Sequence, residues 1–370
     1  MSFPPLVEPV PALSATEATR TARHRSLAGL GEVGQRRLRA AHVAIVGAGG
    51  LGSPAVLALA AAGVGTLTVI DDDTVEITNL QRQVMHRHED VGARKVDSAV
   101  RVAADLAPET TVLPIAERLD GANAVDLLAG ADIVLDGSDS FATRAAVAAA
   151  CERLRVPLVW GTVQEFGAQL TVFWSAPPAG VDPVVLSDLY PPATVGEPPS
   201  CAAVGVLGAL CLQVGALMAT EAVKLIAGIG EPLLGRVLLI DALRARQSEV
   251  PLRAAATTGA PLEIAATDAA APRIPEVTPG ALTDDAVLVD VREAHEVAGG
   301  VIPGSRHVPL ADLLADPRAL SPLTADGPLV IVCQVGVRAA RAARALHDVG
   351  IDASVLAGGM DAWSADGVRA

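Results

Sequence analysis

The sequence predicts an α/β protein: a doubly wound, mostly parallel sheet followed by a second, smaller α/β unit. Three observations carry this. An apolar strand at His42–Val46 runs into a glycine-rich turn, an alanine-rich helix to about Ala62 and a second strand at Thr66–Ile70, which is the βαβ opening of a nucleotide-binding sheet. Apolar runs then alternate with helical stretches, as parallel crossovers require. A stretch rich in Ala, Thr and Pro interrupts this pattern, and a fresh alternation follows it.

In chain order, Pro4, Pro5, Pro9 and Pro11 mark residues 1–14 as a loose tail, and Ser14 with Glu17 three residues on reads as a helix start. Further strands are expected at Thr111–Ile115, Ile133–Leu135, Pro157–Trp160, Gln169–Trp174 and Arg236–Asp241, with helices at Ala93–Leu106 and Thr143–Leu154. Ala202–Thr220 is uncharged and long enough to suggest a membrane span. It is interrupted by Gly205, Gly208, Gln213 and Gly215 and runs into Glu221 and Lys224, so a buried core helix is the expectation. The later unit shows strands at Ala286–Val291, Leu329–Cys333 and Ala353–Leu356 and a helix at Arg338–Val349. The predicted organisation is a tail over 1–14, a nucleotide-binding domain over 15–250, a linker over 251–274 and a second domain over 275–370.

Composition narrows the function. Over 370 residues, 51% hydrophobic content excludes a disordered chain. The 28 basic and 42 acidic residues leave a net charge of −14, which argues against nucleic acid or an anionic membrane as partner. Any bound phosphate must therefore meet a local basic pocket. The four cysteines, Cys151, Cys201, Cys211 and Cys333, form no CxxC pair, so neither a disulfide framework nor a structural zinc site is expected. No basic stretch followed by an apolar one opens the chain, and a cytoplasmic enzyme with reduced thiols is the expectation.

The glycines Gly47, Gly49 and Gly52 let backbone amides approach a phosphate at a helix N-terminus. Alone they fit a dinucleotide dehydrogenase as well as an ATP enzyme, and Asp71 suits a ribose hydroxyl in either. Arg82, Lys95 and Asp139 shift the balance, because splitting ATP at its α-phosphate needs cations on the phosphates and a carboxylate to hold Mg²⁺. Taken singly, Arg82 and Lys95 read as solvated charges and Asp139 as a helix cap. Their joint spacing argues for catalysis.

With Asp71-Asp72-Asp73-Thr74-Val75-Glu76-Ile77-Thr78-Asn79-Leu80-Gln81-Arg82-Gln83 and Asp136-Gly137-Ser138-Asp139 in place, the chain from about Thr16 to Arg246 resembles the ThiF/MoeB family. These are bacterial relatives of ubiquitin-activating enzymes that adenylate the C-terminal glycine of a small ubiquitin-like sulfur-carrier protein. The resemblance implies a Rossmann-like fold and ATP with Mg²⁺. It implies that Gly50 and Asp71 contact adenosine and ribose, that Asn79, Arg82 and Lys95 hold the triphosphate within a nucleotide-binding run including Thr78, Leu80 and Gln81, and that Asp139 is the Mg²⁺-binding catalytic carboxylate. Ser140 stands where the family usually has asparagine. Arg23 matches an arginine that reaches into the neighbouring subunit's site, which implies a homodimer. Related enzymes commonly hold zinc through two CxxC pairs; Ser175–Gly180 and Ala242–Arg246 stand there without cysteine, and no zinc is expected. Cys201 matches a mobile-loop cysteine that links to the carrier in some members, and it reads equally as a small hydrophobe at a helix start. Cys151 and Cys211 read as core.

Cys333-Gln334-Val335-Gly336-Val337-Arg338 joins a buried strand to a helix. The helix's positive end and Arg338 favour thiolate over thiol there, which makes a nucleophile. With Asp290-Val291-Arg292, Ile302-Pro303-Gly304-Ser305 and Leu356-Ala357-Gly358-Gly359-Met360 around it, the chain from about Pro275 to Ala370 resembles a single rhodanese domain. By that resemblance Cys333 carries a persulfide and Arg338 helps shape an anion-binding loop. Val301 and Ala339 depart from the usual histidine and serine.

Together the resemblances imply an adenylyltransferase fused to a sulfurtransferase. A carrier tail ending in Gly-Gly is activated by ATP, and a persulfide supplied by a cysteine desulfurase or thiosulfate yields a thiocarboxylate, with the linker bringing Cys333 to the adenylate. Such tails serve molybdopterin, thiamine, cysteine and tRNA-thiolation chemistry alike. Two rival readings are an NAD-binding oxidoreductase with a regulatory rhodanese-like module and a non-catalytic carrier-docking scaffold.

Overall fold

The computed structural model describes residues 3–191, 205–254, 274–283, 285–334 and 336–365. The chain divides into two compact units, Met1–Glu263 and Ile264–Ala370. The expectations for Cys201 and for 255–273 of the linker lie outside the described residues.

The first unit holds an eight-stranded sheet in the order β3-β2-β1-β4-β5-β6-β7-β8. Strands β1 (His42–Val46), β2 (Thr66–Ile70), β3 (Thr111–Ile115), β4 (Ile133–Asp136) and β5 (Leu158–Gln164) pair in parallel. Residues 43–46 and 67–70 are buried on consecutive positions, as a sheet covered on both faces demands. Strands β6 (Gly167–Phe173), β7 (Arg236–Asp241) and β8 (Arg246–Pro251) continue antiparallel. Strand β8 was not legible in the sequence, because it is an exposed, polar edge strand paired only to β7.

Strand order reverses between β1 and β4, so a crevice opens at their carboxyl ends. Gly47 closes the turn there with φ +88°, and a β-carbon on Gly52 would lie 1.7 Å from the Gly47 carbonyl oxygen. Only glycine fits either position. Helix α4 (Gly52–Ala62) then starts beside the crevice and ends at Gly63 in the left-handed conformation. The apolar helix Gly208–Ala227 is long and apolar enough to cross a membrane by length and composition, and it buries Leu210, Val214, Met218, Ala222 and Leu225 in the core. A β-carbon on its Gly215 would stand 2.3 Å from the Leu51 carbonyl oxygen, so the lack of a side chain lets this helix touch the start of α4.

The N-terminal segment departs from the expected loose tail. Leu6 N–H donates to Leu225 O at 3.2 Å, Val10 N–H donates to Arg36 O at 3.2 Å, and Phe3, Leu6 and Val7 pack on the core. Its prolines keep it extended while its apolar residues find a groove. Ser14 caps α1 (Ala15–Arg20) as expected, accepting the Glu17 N–H at 3.0 Å.

The second unit is a five-stranded, wholly parallel sheet in the order β11-β10-β12-β13-β9. Its core strands are β10 (Val287–Asp290), β12 (Leu329–Val332) and β13 (Ala353–Leu356). The outer strands β9 (Glu276–Val277) and β11 (Arg306–His307) are too short to leave a sequence pattern. The helix Val337–Asp348 turns Ala339, Ala342, Ala343 and Leu346 onto this sheet at helical spacing.

Candidate functional site

A crevice of about 260 Å³ lies over the reversal point of the first sheet. Its floor is the glycine turn, with Gly47, Gly49 and Gly50 exposed to it. Asp71, which ends β2, accepts the Ala48 N–H at 2.7 Å and the Asp73 N–H at 2.9 Å, and thereby fixes the turn. Burial pushes its carboxyl above the ordinary range, while the Lys95 charge opposes that shift. Lys95, at the start of α5 (Lys95–Leu106), donates to Asp73 at 2.6 Å and lies 3.9 Å from Asp71. Among the described residues, Asp71, Asp72 and Asp73 are the acids whose oxygens gather within 4.8 Å. Arg82 leans over Gly50 and donates to the Thr78 carbonyl at 3.3 Å.

The opposite wall begins where β4 ends. Asp136 is fully buried; its Oδ1 accepts the Ser138 N–H at 2.9 Å and the Ser138 hydroxyl at 2.6 Å. Burial also pushes this carboxyl up. The turn so formed presents Asp139, exposed, with no hydrogen bond or ion pair to a described residue. Ser140 caps α7 (Phe141–Leu154), its hydroxyl accepting the Thr143 N–H at 3.1 Å. Arg144 donates to the Ser138 carbonyl at 2.9 Å and stands 5.7 Å from the Trp160 ring centre, which braces the turn from below.

Of the sequence-predicted residues, Gly47, Gly49, Gly50, Asp71, Arg82, Lys95, Asp139 and Ser140 share this crevice. Six others do not line it. Gly52 serves helix packing. Asn79 is buried and its Oδ1 accepts the Glu76 N–H at 3.0 Å, while its Nδ2 bonds to no described residue. Thr78 donates to Glu76 at 3.1 Å, Gln81 packs against Gly208, and Leu80 completes the same turn. Arg23 is exposed on α2 (Ala22–Arg25), away from the crevice and bound to no described residue. Cys151 is core as expected, burial driving its thiol far up. Cys211 is buried yet lines the crevice, its Sγ 3.2 Å from where a β-carbon on Gly50 would stand. Sequence reasoning missed Arg144 as well as Gln83; an arginine in the first turn of an alanine-rich helix was the signal for the first.

In the second unit, Cys333 ends the buried run of β12, and its Sγ accepts N–H groups from Gly336 at 3.2 Å and Ala339 at 3.4 Å. Gly336 holds φ +98°, which turns the loop back over the sulfur. Met360 N–H donates to the Cys333 carbonyl at 2.9 Å, tying the loop to the Gly358-Gly359 turn. Arg338 forms a two-pronged pair with Glu296, both contacts 2.6 Å, and that hydrogen bonding raises its already high pKa. Arg292 is buried on Asp290 at 2.7 Å and reaches Gln334 at 3.2 Å. Glu296 carried no motif in the sequence; its side chain meets Arg338 across 42 positions.

A glycine-turn crevice lined by both cations and carboxylates, joined in one chain to a cysteine cradled by amides, defines a nucleotide-using transferase coupled to a sulfur-handling unit. Residues 21–261 match the ThiF family and residues 280–366 the rhodanese-like domain, and the chain belongs to the ThiF family with a rhodanese-like domain following. It is 42% identical to a probable adenylyltransferase/sulfurtransferase MoeZ of Mycobacterium tuberculosis, over 98% of this chain and 97% of that protein. It is 43% identical to a SAMP-activating enzyme E1 of Haloferax volcanii over 65% of this chain and 87% of that one. A sulfur carrier protein adenylyltransferase of Thermus thermophilus is 42% identical, over 64% of this chain and 88% of its own length. The solved structure of Escherichia coli MccB with succinimide shares the fold at TM-score 0.56 and 22% identity, covering 65% of this chain and 73% of that one. The chain is therefore an adenylyltransferase and sulfurtransferase whose first unit uses ATP, and the dehydrogenase reading is not favoured.

Proposed function

We propose that the enzyme adenylates the C-terminal glycine of a ubiquitin-like sulfur-carrier protein ending in Gly-Gly and converts it to a thiocarboxylate with sulfur from Cys333. The observation that carries this reading is the gathering of Arg82, Lys95 and an Asp139 bound to no described residue around one glycine turn. A free carboxylate is a poor electrophile, and an acyl adenylate is a good one. The tail carboxylate attacks the α-phosphate; Arg82 and Lys95 stabilise charge on the phosphate oxygens as pyrophosphate leaves. The Asp139 carboxylate suits a hard divalent cation. Mg²⁺ held there would supply further neutralisation of the phosphates.

Sulfur transfer follows at the second unit. A Cys333 persulfide, charged by a cysteine desulfurase or by thiosulfate, displaces AMP through its terminal sulfur. A thiol then cleaves the resulting acyl disulfide to leave the thiocarboxylate. The amides of Gly336 and Ala339 aimed at Sγ stabilise negative charge on sulfur. The exposed Arg23 fits a role in the crevice of a second copy, and a homodimer belongs to this proposal.

The test is pyrophosphate exchange into ATP with purified enzyme and a panel of carriers ending in Gly-Gly, with tail-deleted carriers as controls. Exchange is expected with at least one intact carrier and with no truncated one. Silence with every carrier would return the scaffold reading.

A further inference from the structure

Gln83 stands on the turn that follows Asn79, its backbone fixed by donation to Asn79 O at 2.9 Å and by acceptance from His86 N at 3.1 Å. Its side chain is 4% exposed and lines the nucleotide crevice. Nε2 lies 3.7 Å from where a β-carbon on Gly49 would stand. Oε1 is shut off from solvent without a hydrogen-bond partner, and no described residue bonds Nε2 either. Nε2 is not shut off in the same way, so its two N–H donors stay open to the crevice and can meet an acceptor there. Side chains placed like this point to a ligand.

The neighbours say which chemistry. Gly49 offers only backbone, and Arg82 and Lys95 are cations on the same crevice. The group that accepts from an amide, a guanidinium and an ammonium at once is a phosphate oxygen. We propose that Gln83 is a phosphate-binding residue of the ATP site, its Nε2–H donating to an oxygen of the phosphate chain beside Gly49. It stands in the same motif as Asn79, whose Oδ1 is held by the Glu76 N–H. The inference rests on the ATP reading of this crevice.

The experiment is equilibrium dialysis of the full chain with radiolabelled ATP and, separately, radiolabelled adenosine, for wild type, Gln83→Leu and Gln83→Glu, with melting curves for each. Gln83→Leu is expected to weaken ATP about tenfold or more and adenosine by less than about twofold. Gln83→Glu, nearly isosteric, is expected to keep the melting temperature and to weaken ATP further by setting a carboxylate against phosphate. Unchanged ATP affinity in folded Gln83→Leu and Gln83→Glu overturns the inference alone. Parallel loss of ATP and adenosine makes Gln83 structural and overturns it too. Wild-type enzyme that does not bind ATP overturns the reading of the crevice and this inference with it.

Discussion

The two units build their sites in opposite ways. In the first, the crevice draws on the turn after β1, the end of β2, the segment around Arg82, the start of α5 and the turn after β4. In the second, the Cys333 sulfur and both amides that face it lie between Cys333 and Ala339. A site gathered from distant segments shares its polar groups with the scaffold: Asp71 holds the glycine turn, Lys95 pairs with Asp73, and the Asn79 Oδ1 holds the Glu76 amide. In the one-loop site the sulfur and the two amides that face it are set by local backbone, and only the surrounding side chains, such as Arg338 on Glu296, are shared with the scaffold. Loss of one residue should therefore be absolute in the second unit and graded in the first.

The largest expected effect follows directly. Cys333→Ala should abolish sulfur transfer to cyanide while leaving carrier-dependent pyrophosphate exchange at the wild-type rate. Residual sulfurtransferase activity in that variant would mean that another thiol serves the loop. Asp139→Ala comes next: the exchange rate should fall by about a hundredfold or more, as for other groups acting on charge developed in the transition state. Transfer to cyanide should not change. Normal exchange in that variant would remove Asp139 from the site.

A third variant probes support of the loop instead of its chemistry. Glu296→Gln leaves Arg338, only 17% exposed, without its counter-charge. Breaking a partly buried two-pronged pair should lower sulfur transfer about tenfold, with the loss in kcat more than in KM. Equal kinetics would show that the amides alone hold the loop.

The same contrast decides what the sequence could reveal. The glycine turn, the Cys333 loop and the strands β1, β2, β7 and β13 are short-range patterns, and their positions were legible from periodicity and spacing. The roles of Asn79, Gln83 and Arg144 were not, because each depends on which neighbour a side chain meets once the chain is folded. Asn79 and Gln83 stand in one motif with the same functional group, yet one faces a backbone amide and the other the crevice. Glu296 was invisible for the same reason. The N-terminal segment misled because prolines signal an extended chain and are silent on what that chain packs against.

The smallest expected effect concerns protons. His86 is buried behind the glycine turn, its Nε2 3.0 Å from the Ala48 carbonyl oxygen and its Nδ1 without a partner among the described residues. The geometry suits a neutral ring donating from Nε2 to that carbonyl. Burial holds its pKa below the ordinary 6.5, and the nearby Lys95 charge pushes the same way. Below pH 6.5 the unfolded chain therefore binds a proton that the folded one refuses. The stability that depends on neutral His86 is complete above that pH and is lost as pH falls toward the lower folded value, at no more than about 1.4 kcal/mol per pH unit. Asp71 and Asp136, whose pKa values burial raises, act with the opposite sign over the range just above ordinary carboxylate values. The difference between wild type and His86→Gln removes their contribution, because both proteins share it. Hydrogen exchange in the full chain should show the β1 amides losing protection between pH 6.5 and 5.5 more steeply in wild type than in the variant, with β12 alike in both. Parallel curves at β1 would mean that the turn tolerates a charged ring, and that its geometry rests on Asp71 and the glycines alone.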